Sequence, residues 1–395
     1  MSLPPDFTSY ASTLFADETW QRYLDSFNEM PPVSIRLNPF KSCAELPFKD
    51  IIDTPVPWCR NAYYLKERPQ FTLDPLLHAG AYYVQEASSM YLDEVLQTVE
   101  EKHPGSILGA TTVLDLCAAP GGKSTLLRAA IPDAALLYSN EPDRKRANIL
   151  MENIQKQGHP RVIVTNSYPR DYQKAAMLFD VILTDVPCSG EGMFRKDPAT
   201  IGEWSISNVI KCQELQRSIL QDIWPCLKPG GILIYSTCTF NRREDEDNVE
   251  WIQQNLGAEA IIPGRHFIPG TDRGEGLFMV ALQKTSQDVV SGKPNTGRLR
   301  ILSDGNPQPT IKGKSIIPAH AEALLTSTPE DKYPRVELTR EEAIKYLHHE
   351  ALVLPPDTPR GFVIVTYQHL PLGFVKNIGN RANNLYPQEW RIRNI

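Results

Sequence analysis

The sequence predicts an α/β protein built on a doubly wound, mostly parallel sheet, with a small α+β module before it and a second α+β unit after it. Three observations predict this. Val113-Leu114-Asp115-Leu116-Cys117-Ala118-Ala119-Pro120-Gly121-Gly122-Lys123-Ser124 reads as an apolar strand entering a glycine turn and then a helix. At such a turn the backbone can approach a ligand, and the helix offers it free N–H groups. From there to Leu282, strand-length apolar runs alternate with helical patterns, as in sheets whose ligands lie at the carboxyl ends of the strands. After Thr285 the chain turns polar and glycine-rich through Gly297 before structured patterns resume. The expected units are residues 1–78, residues 79–285, a linker at 286–297 and residues 298–395.

Each element follows from its pattern. Residues 7 to 27 read as one helix, and Val33-Ser34-Ile35-Arg36-Leu37-Asn38-Pro39 alternates like a strand that stops at the proline. Residues 40 to 75 are proline-punctuated and aromatic (Trp58, Tyr63, Tyr64, Phe71), which suits core packing or RNA stacking. A turn from Ala79 leads into a helix through about Leu96, followed by a strand over 112–117 and a helix over 122–130. Residues 134–141 form a second buried strand ending in Glu141, about 20 residues after the turn, where such sheets place an acid against ribose hydroxyls. A helix over 144–157 ends at Gly158. Strands are expected at 162–165, 179–185 and 232–236, with one more at 277–282. Leu220, Ile223, Trp224 and Leu227 mark one face of a helix over 210–227. A helix from Arg242 has Asn241 and Glu244 as its capping pair. Cys117, Glu141, Asp185 and the residues after Ser236 should therefore share one rim.

Composition excludes several classes. No run of about 18 apolar residues exists, so no membrane span is expected. The N-terminus lacks the basic start and apolar core of a secretion signal, and a cytoplasmic monomer is expected. Seven cysteines without a CxxC pair argue against a disulfide framework and against a zinc site, and no metal is expected. Gly122-Lys123-Ser124 invites a phosphate-loop reading, which fails because Cys117 stands where that loop needs glycine. The net charge of −6 is uneven: residues 1–295 hold 28 Lys and Arg against 37 Asp and Glu, and residues 296–395 hold 13 against 10. Any nucleic-acid contact must be local.

Two rim segments contain cysteines. Asp185-Val186-Pro187-Cys188-Ser189-Gly190-Glu191-Gly192 leaves one strand, and Ser236-Thr237-Cys238-Thr239 leaves the next just ahead of the expected helix, whose N-terminus would favour a thiolate. Glu244, Asp245, Glu246 and Asp247 would oppose this if they faced the site. Cys43, Cys59, Cys117, Cys212 and Cys226 read as small core residues. Two thiols beside an acid suit one chemistry well. The C5 carbon of cytosine is too electron-poor to take a methyl group directly. A thiolate adding at C6 makes C5 nucleophilic, an acid at N3 stabilises the adduct, and a second thiol can assist release.

These motifs, together with Ser34-Ile35-Arg36-Leu37-Asn38-Pro39 and Tyr83-Val84-Gln85-Glu86-Ala87-Ser88-Ser89, resemble the RNA cytosine-5 methyltransferases of the Sun family, and within it the bacterial RsmF-type enzymes of small-subunit ribosomal RNA. The resemblance implies a Rossmann-like S-adenosylmethionine-dependent methyltransferase domain. Cys238 would be the nucleophile and Cys188 the release thiol; DNA cytosine-5 enzymes attack instead from the Pro-Cys position. It places S-adenosylmethionine on Cys117, Ala118, Ala119, Pro120, Gly121, Gly122 and Lys123, its ribose on Glu141, and Asp185 and Lys123 toward the base, with Asp185 also beside the cofactor. Two positions depart from the pattern. Val186 replaces the commoner alanine, and Asn166-Ser167-Tyr168 stands where many members have an adenine-binding Asp, leaving Ser167 as the adenine contact.

The resemblance also implies an RNA-binding N-terminal module and a C-terminal PUA-like RNA-binding domain, the latter matched by Gly373-Phe374-Val375-Lys376 through Asn383-Asn384-Leu385-Tyr386-Pro387. In that last unit a helix is expected near 340–349 and a hairpin over 361–367 and 372–376. Lys376, Arg381, Arg391 and Arg393 with Tyr386 and Trp390 suit either RNA contact or a solvated face over core aromatics. Ribosomal RNA is the expected partner. Transfer RNA enzymes share the catalytic motifs, and a non-catalytic ribosome-assembly binder or a methyltransferase of small molecules or proteins are the other classes.

Overall fold

The computed structural model describes residues 3–313 and 315–393. The single helix expected over 7–27 is two: α1 (Pro5–Ala11) and α2 (Asp17–Ser26). Ser12 and Thr13 hydroxyls donate back to the carbonyls of Ser9 and Tyr10 at 3.2 and 2.7 Å, a local alternative to continuing the helix. Strands β1 (Val33–Leu37), β2 (Ile52–Pro55), β3 (Ala62–Leu65) and β4 (Tyr82–Val84) form an antiparallel sheet ordered β2-β3-β1-β4, with the short α3 (Pro75–His78) ahead of β4.

The central unit runs through α4 (Leu92–Lys102), β5 (Thr112–Asp115), α5 (Gly122–Ala130), β6 (Leu136–Asn140), α6 (Arg144–Gln157), β7 (Val162–Thr165), α7 (Pro169–Lys174) and β8 (Phe179–Asp185). It continues through α8 (Ala199–Glu203), α9 (Ile206–Ile223), β9 (Leu227–Thr237), α10 (Glu246–Ile252), β10 (Ala258–Phe267) and β11 (Leu277–Lys284). With β12 (Ile301–Ser303) these strands make an eight-stranded sheet ordered β10-β11-β9-β8-β5-β6-β7-β12, in which β5 to β9 are parallel and the rest antiparallel. Alternate residues of each strand fill two cores. Val113, Val181, Ile232 and Ile234 face one layer with Leu126 and Leu127 of α5, while Leu114, Ile182 and Leu233 face the other with Leu220 and Ile223 of α9. Strand order reverses at β5, so the crevice beyond the carboxyl ends of β5, β6 and β8 is where such a sheet binds ligands.

Several boundaries differ from expectation. Helix α9 spans 206–223 rather than 210–227, because Ser205 accepts the Asn208 N–H as N-cap and Pro225 cannot continue the ladder. Strand β10 has no clean alternation, includes Pro263 and Gly264, and pairs with two register shifts, so its pattern was hidden. Residues 301–303, expected in the last unit, pair with β7 instead. The expected linker has no regular element over 286–295, yet it is pinned: Val290 N–H donates to Pro225 O and Asn295 N–H to Ala175 O.

The last unit contains β13 (Thr310–Lys312), β14 (Ser315–Ile317), α11 (His320–Leu324), β15 (Arg335–Glu337), α12 (Arg340–Leu347), β16 (Gly361–Tyr367), β17 (Leu370–Asn377) and β18 (Ala382–Asn384). Its four-stranded sheet, β15-β16-β17-β18, shares one apolar core with the first sheet: Ile35, Leu65 and Leu76 pack with Leu347, Val363 and Tyr386. Tyr386 is thus a core residue, its hydroxyl 3.0 Å from His78 Nδ1, and is not available for stacking on RNA. Arg381, Arg391 and Arg393 are exposed. No described helix is long and apolar enough to cross a membrane.

The segment Arg36-x-Asn38-x-x-Lys41 joins the first sheet to the central one. Arg36 donates to Gln85 Oε1 (2.9 Å), to Gly122 O (3.1 Å) and to Thr125 Oγ1 (2.6 Å). Asn38 Nδ2 donates to Gly80 O and Gln157 O at 2.8 and 2.9 Å, and Lys41 Nζ to Ala79 O and Lys156 O at 2.7 and 2.6 Å. All three side chains are buried. The clamp therefore grips the first turn of α5 and satisfies two carbonyls at the end of α6. Replacing Asn38 with alanine leaves two buried carbonyls without that donor, and is expected to lower unfolding stability by about 1–3 kcal/mol in urea denaturation. A change within about 0.3 kcal/mol would show that the clamp does not hold the two units together.

Candidate active site

The glycine turn lies at the carboxyl end of β5, as predicted. Gly121 has φ +118°, a conformation that side chains rarely adopt, and it caps α5. Ser124 Oγ donates to Asp115 Oδ2 at 2.6 Å and lies 2.9 Å from Ser139 Oγ, tying β5, α5 and β6 together. Asn140, unremarked in the sequence, laces the rim. Its amide donates to Leu116 O and Ser167 O, both at 3.0 Å, and its carbonyl accepts from Thr165 Oγ1 and the Ser167 N–H. The Cys117 thiol is pushed well up by burial and by Asp115, Asp185 and Glu141, so it stays protonated.

Glu141 is buried at the end of β6, where Oε1 accepts the Asp143 N–H at 2.9 Å and Arg146 lies 3.5 Å from Oε2. That leaves acceptor capacity for a diol. Ser167 is buried and its Oγ accepts the Arg300 N–H at 3.0 Å, while Asn166 Nδ2 donates to Glu141 O and Pro142 O. Of the Ser167 hydroxyl, the O–H proton remains for a ligand.

On the neighbouring strands, Lys123 Nζ donates to Asp185 Oδ2 at 2.8 Å, and Ser236 Oγ to Asp185 Oδ1 at 2.6 Å. Burial would lower the Lys123 ammonium, but Asp185, Cys238 and Asp115 outweigh it and raise it, so it is cationic at neutral pH. The two cysteines meet. The Cys238 N–H reaches Cys188 Sγ at 3.4 Å, and both cysteines keep partial exposure. Each thiol shifts the other, Cys238 down and Cys188 up; burial and Asp185 oppose the drop at Cys238 and Lys123 assists it, while burial and Glu244 raise Cys188 further. Of the two, Cys238 is the one biased toward the thiolate and Cys188 the one biased toward keeping its proton.

The helix does not do this. Helix α10 begins at Glu246, eight residues after Cys238, because Asn241 and Glu244 pair in a turn that precedes it and Asp245 has ψ −93°. The feared carboxylates are occupied. Glu244 accepts from Ser189 N–H (3.0 Å) and Gln216 Nε2 (2.7 Å), and Asp245 from the hydroxyls of Thr237 and Thr239. Glu191, buried and raised to about 7 by desolvation, accepts from Trp204 Nε1 at 2.9 Å and Asn241 Nδ2 at 3.1 Å. Sequence reading gave no role to Glu86, which faces the same centre. It accepts four N–H and O–H donors from Ser88 and Ser89 and a fifth from the Glu275 N–H, and its charge opposes the Cys238 thiolate.

Residues 108–283 match the family described as 16S rRNA methyltransferase RsmB/F, residues 3–87 the N-terminal domain of 16S rRNA methyltransferase RsmF, and residues 333–392 the methyltransferase RsmF PUA domain. The ribosomal RNA small subunit methyltransferase F of Cronobacter sakazakii is 30% identical over 413 residues, covering 85% of this chain and 84% of its own. The chain belongs to the RsmB/F family of 16S rRNA methyltransferases. The protein of the same name from Salmonella enteritidis is 28% identical, with the same coverage. Among solved structures, a methyltransferase homologue from Pyrococcus horikoshii is 25% identical with TM-score 0.57, covering 71% of this chain and all of that one. NSun6 from the same organism, crystallised with SFG, an S-adenosylmethionine analogue, is 17% identical with TM-score 0.60, covering 72% and 99%, and shares the fold.

The RsmB/F enzymes use S-adenosylmethionine, and the residues present fit it: a glycine turn opening a helix at the carboxyl end of β5, and a buried acid with spare acceptor capacity at the next strand end. The thiol pairing has a direct test. In the Cys188→Ala variant, Cys238 loses its hydrogen-bond donor and its titration moves up. Iodoacetamide labelling of Cys238, followed by peptide mass spectrometry, should then need a higher pH than in the native chain. An unmoved profile would mean that Cys188 does not hold the Cys238 thiolate.

Proposed function

We propose that this RsmB/F methyltransferase methylates C5 of a cytosine in small-subunit ribosomal RNA, with Cys238 as nucleophile and Cys188 as the group that aids release. The observation that supports it is the approach of the two cysteines, the Cys238 N–H donating to Cys188 Sγ, beside the Lys123–Asp185 pair, with Cys238 shifted down and Cys188 up. In this reading the Cys238 thiolate adds to C6, N3 takes a proton from solvent as density builds there, and Asp185, held by Ser236 and Lys123, accepts hydrogen bonds from that N3–H and the amino group. Bound at Cys117 to Lys123 and Glu141, S-adenosylmethionine supplies an electrophilic methyl group. Lys123 balances the charge between Asp185 and Cys238 throughout. After transfer the C5 proton leaves as the C6–S bond breaks and the sulfur returns as thiolate. Cys188, beside that sulfur, takes the C5 proton once it has given its own to solvent, and ends the cycle protonated again.

A cytosine in a stable stem would have to flip out at a cost of a few kcal/mol, so an unpaired target is favoured. The residue boundaries 1–78, 79–285, 286–297 and 298–395 remain our proposed division of labour, with the first and last units handling RNA and a monomer as the working state.

Incubating the Cys188→Ser variant with ribosomal RNA and S-adenosylmethionine should trap a covalent protein–RNA band on a denaturing gel, absent from Cys238→Ser. An adduct from Cys238→Ser, or methylation by that variant at more than about one per cent of the native rate, would reverse the roles of the thiols.

A further inference from the structure

Between the first sheet and helices α5 and α6 lies a cleft of about 290 Å³ that includes neither thiol. Phe71 and Tyr83 line it as aromatic walls, and Arg36, Arg68, Lys156 and Gln157 supply its polar groups; no Asp or Glu lines it. The charges are uneven. Lys156 is paired with Glu152 at 2.6 Å, but Arg68 is exposed, lies 5.5 Å above the Phe71 ring and has no acid partner among the described residues. Buried Arg36 is bonded to neutral acceptors alone, so its charge is uncompensated there. Nearby acids are committed elsewhere: Asp93 to Arg60 at 2.8 Å, and Asp74 to Tyr82 and the Leu76 N–H. Gln157 is more than nine-tenths buried, donates through Nε2 to Thr125 O, and leaves Oε1 without a partner among the described residues.

Aromatic walls, net positive charge and an amide acceptor without a donor are the features of a site for a base and its phosphate. The cleft is at the small end of the roughly 300–1,000 Å³ of ligand pockets, enough for one base. We propose that this cleft is a nucleotide subsite for the substrate RNA, taking one unstacked base against Tyr83 and its phosphate on Arg68. The proposal rests on the RNA reading of the chain. Because Arg36 in its wall also donates to Gly122 O and Thr125 Oγ1, the subsite and the cofactor turn share a residue.

The test is fluorescence anisotropy of a labelled ten-nucleotide single-stranded RNA with the full chain, without S-adenosylmethionine. Arg68→Glu, an exposed substitution that spares the core, should weaken binding about tenfold and make the salt dependence shallower by about one unit of slope. With 4-thiouridine in the same RNA, ultraviolet cross-links should map to the peptide containing Tyr83. Native affinity in Arg68→Glu, no cross-link within residues 71–84, or competition by polyglutamate as strong as by unlabelled RNA would each overturn the subsite. A native chain that binds no RNA would remove the proposed function as well, whereas a chain that methylates RNA with the cleft variant unaffected would remove the subsite alone.

Discussion

The site depends on one ion pair, buried on its cationic side. Lys123 is the second residue of α5, a position where the helix dipole disfavours a cation, and it is held there in an almost fully covered environment. Asp185, from the end of β8, compensates it at 2.8 Å and is in turn bonded by Ser236 of β9. Such a pair is weak evidence for stability, since desolvation offsets most of its attraction. What it does is geometric. It fixes the helix that opens at the glycine turn against the two strands that lead to the thiols, so the turn and Cys238 cannot drift apart. A locally unfavourable residue kept in place by a partner from another element is the pattern expected of a working site rather than of packing.

The two thiols beside this pair are unequal. Each acts most strongly on the other, lowering Cys238 and raising Cys188. Asp185 opposes the Cys238 thiolate and Lys123 favours it, so the ion pair nearly cancels there, while Glu244 adds to the rise at Cys188. Glu244 does this without being free, because Ser189, Gln216 and Asn241 hold it. Chemistry that needs an attacking thiolate beside a second, protonated thiol finds the pair already biased that way.

Most of the central sheet was legible, because its strands are apolar runs bounded by turn residues and its helices have 3.6-residue faces: α6, β7 and β8 fall where the pattern put them. Long-range pairing was not legible. Strand β10 lacks alternation, and β12 joins the sheet by hydrogen bonds from a polar segment that reads as part of another unit. At the site, the types and rim placement of Cys188, Cys238, Asp185 and Lys123 were readable from motifs. The cause of the Cys238 shift was not, since it comes from a neighbour 50 residues away rather than from the helix that follows. Glu86 and Asn140 were missed for the same reason: a carboxylate or amide acquires a role only from what the fold brings to it.

The first 90 residues show how far that goes. Read in sequence they are a small module over 1–78 and the start of the next unit, yet they act at three places. Phe7 and Tyr23 of the paired helices pack on Phe194, Trp204 and Phe240, ring centroids 4.9 Å apart for Phe7–Phe194 and 5.3 Å for Tyr23–Phe240, clamping the loops that follow both cysteines. Arg36, Asn38 and Lys41 hold the ends of α5 and α6. Glu86 and Ser88 bond to Glu275 at the foot of β11. In a parallel sheet the strands fix their own positions, but the loops at their carboxyl ends have no ladder to hold them. Here those loops are held by residues from outside the sheet, so the segment that precedes the catalytic domain is as much a part of the site as the strands that bear the thiols.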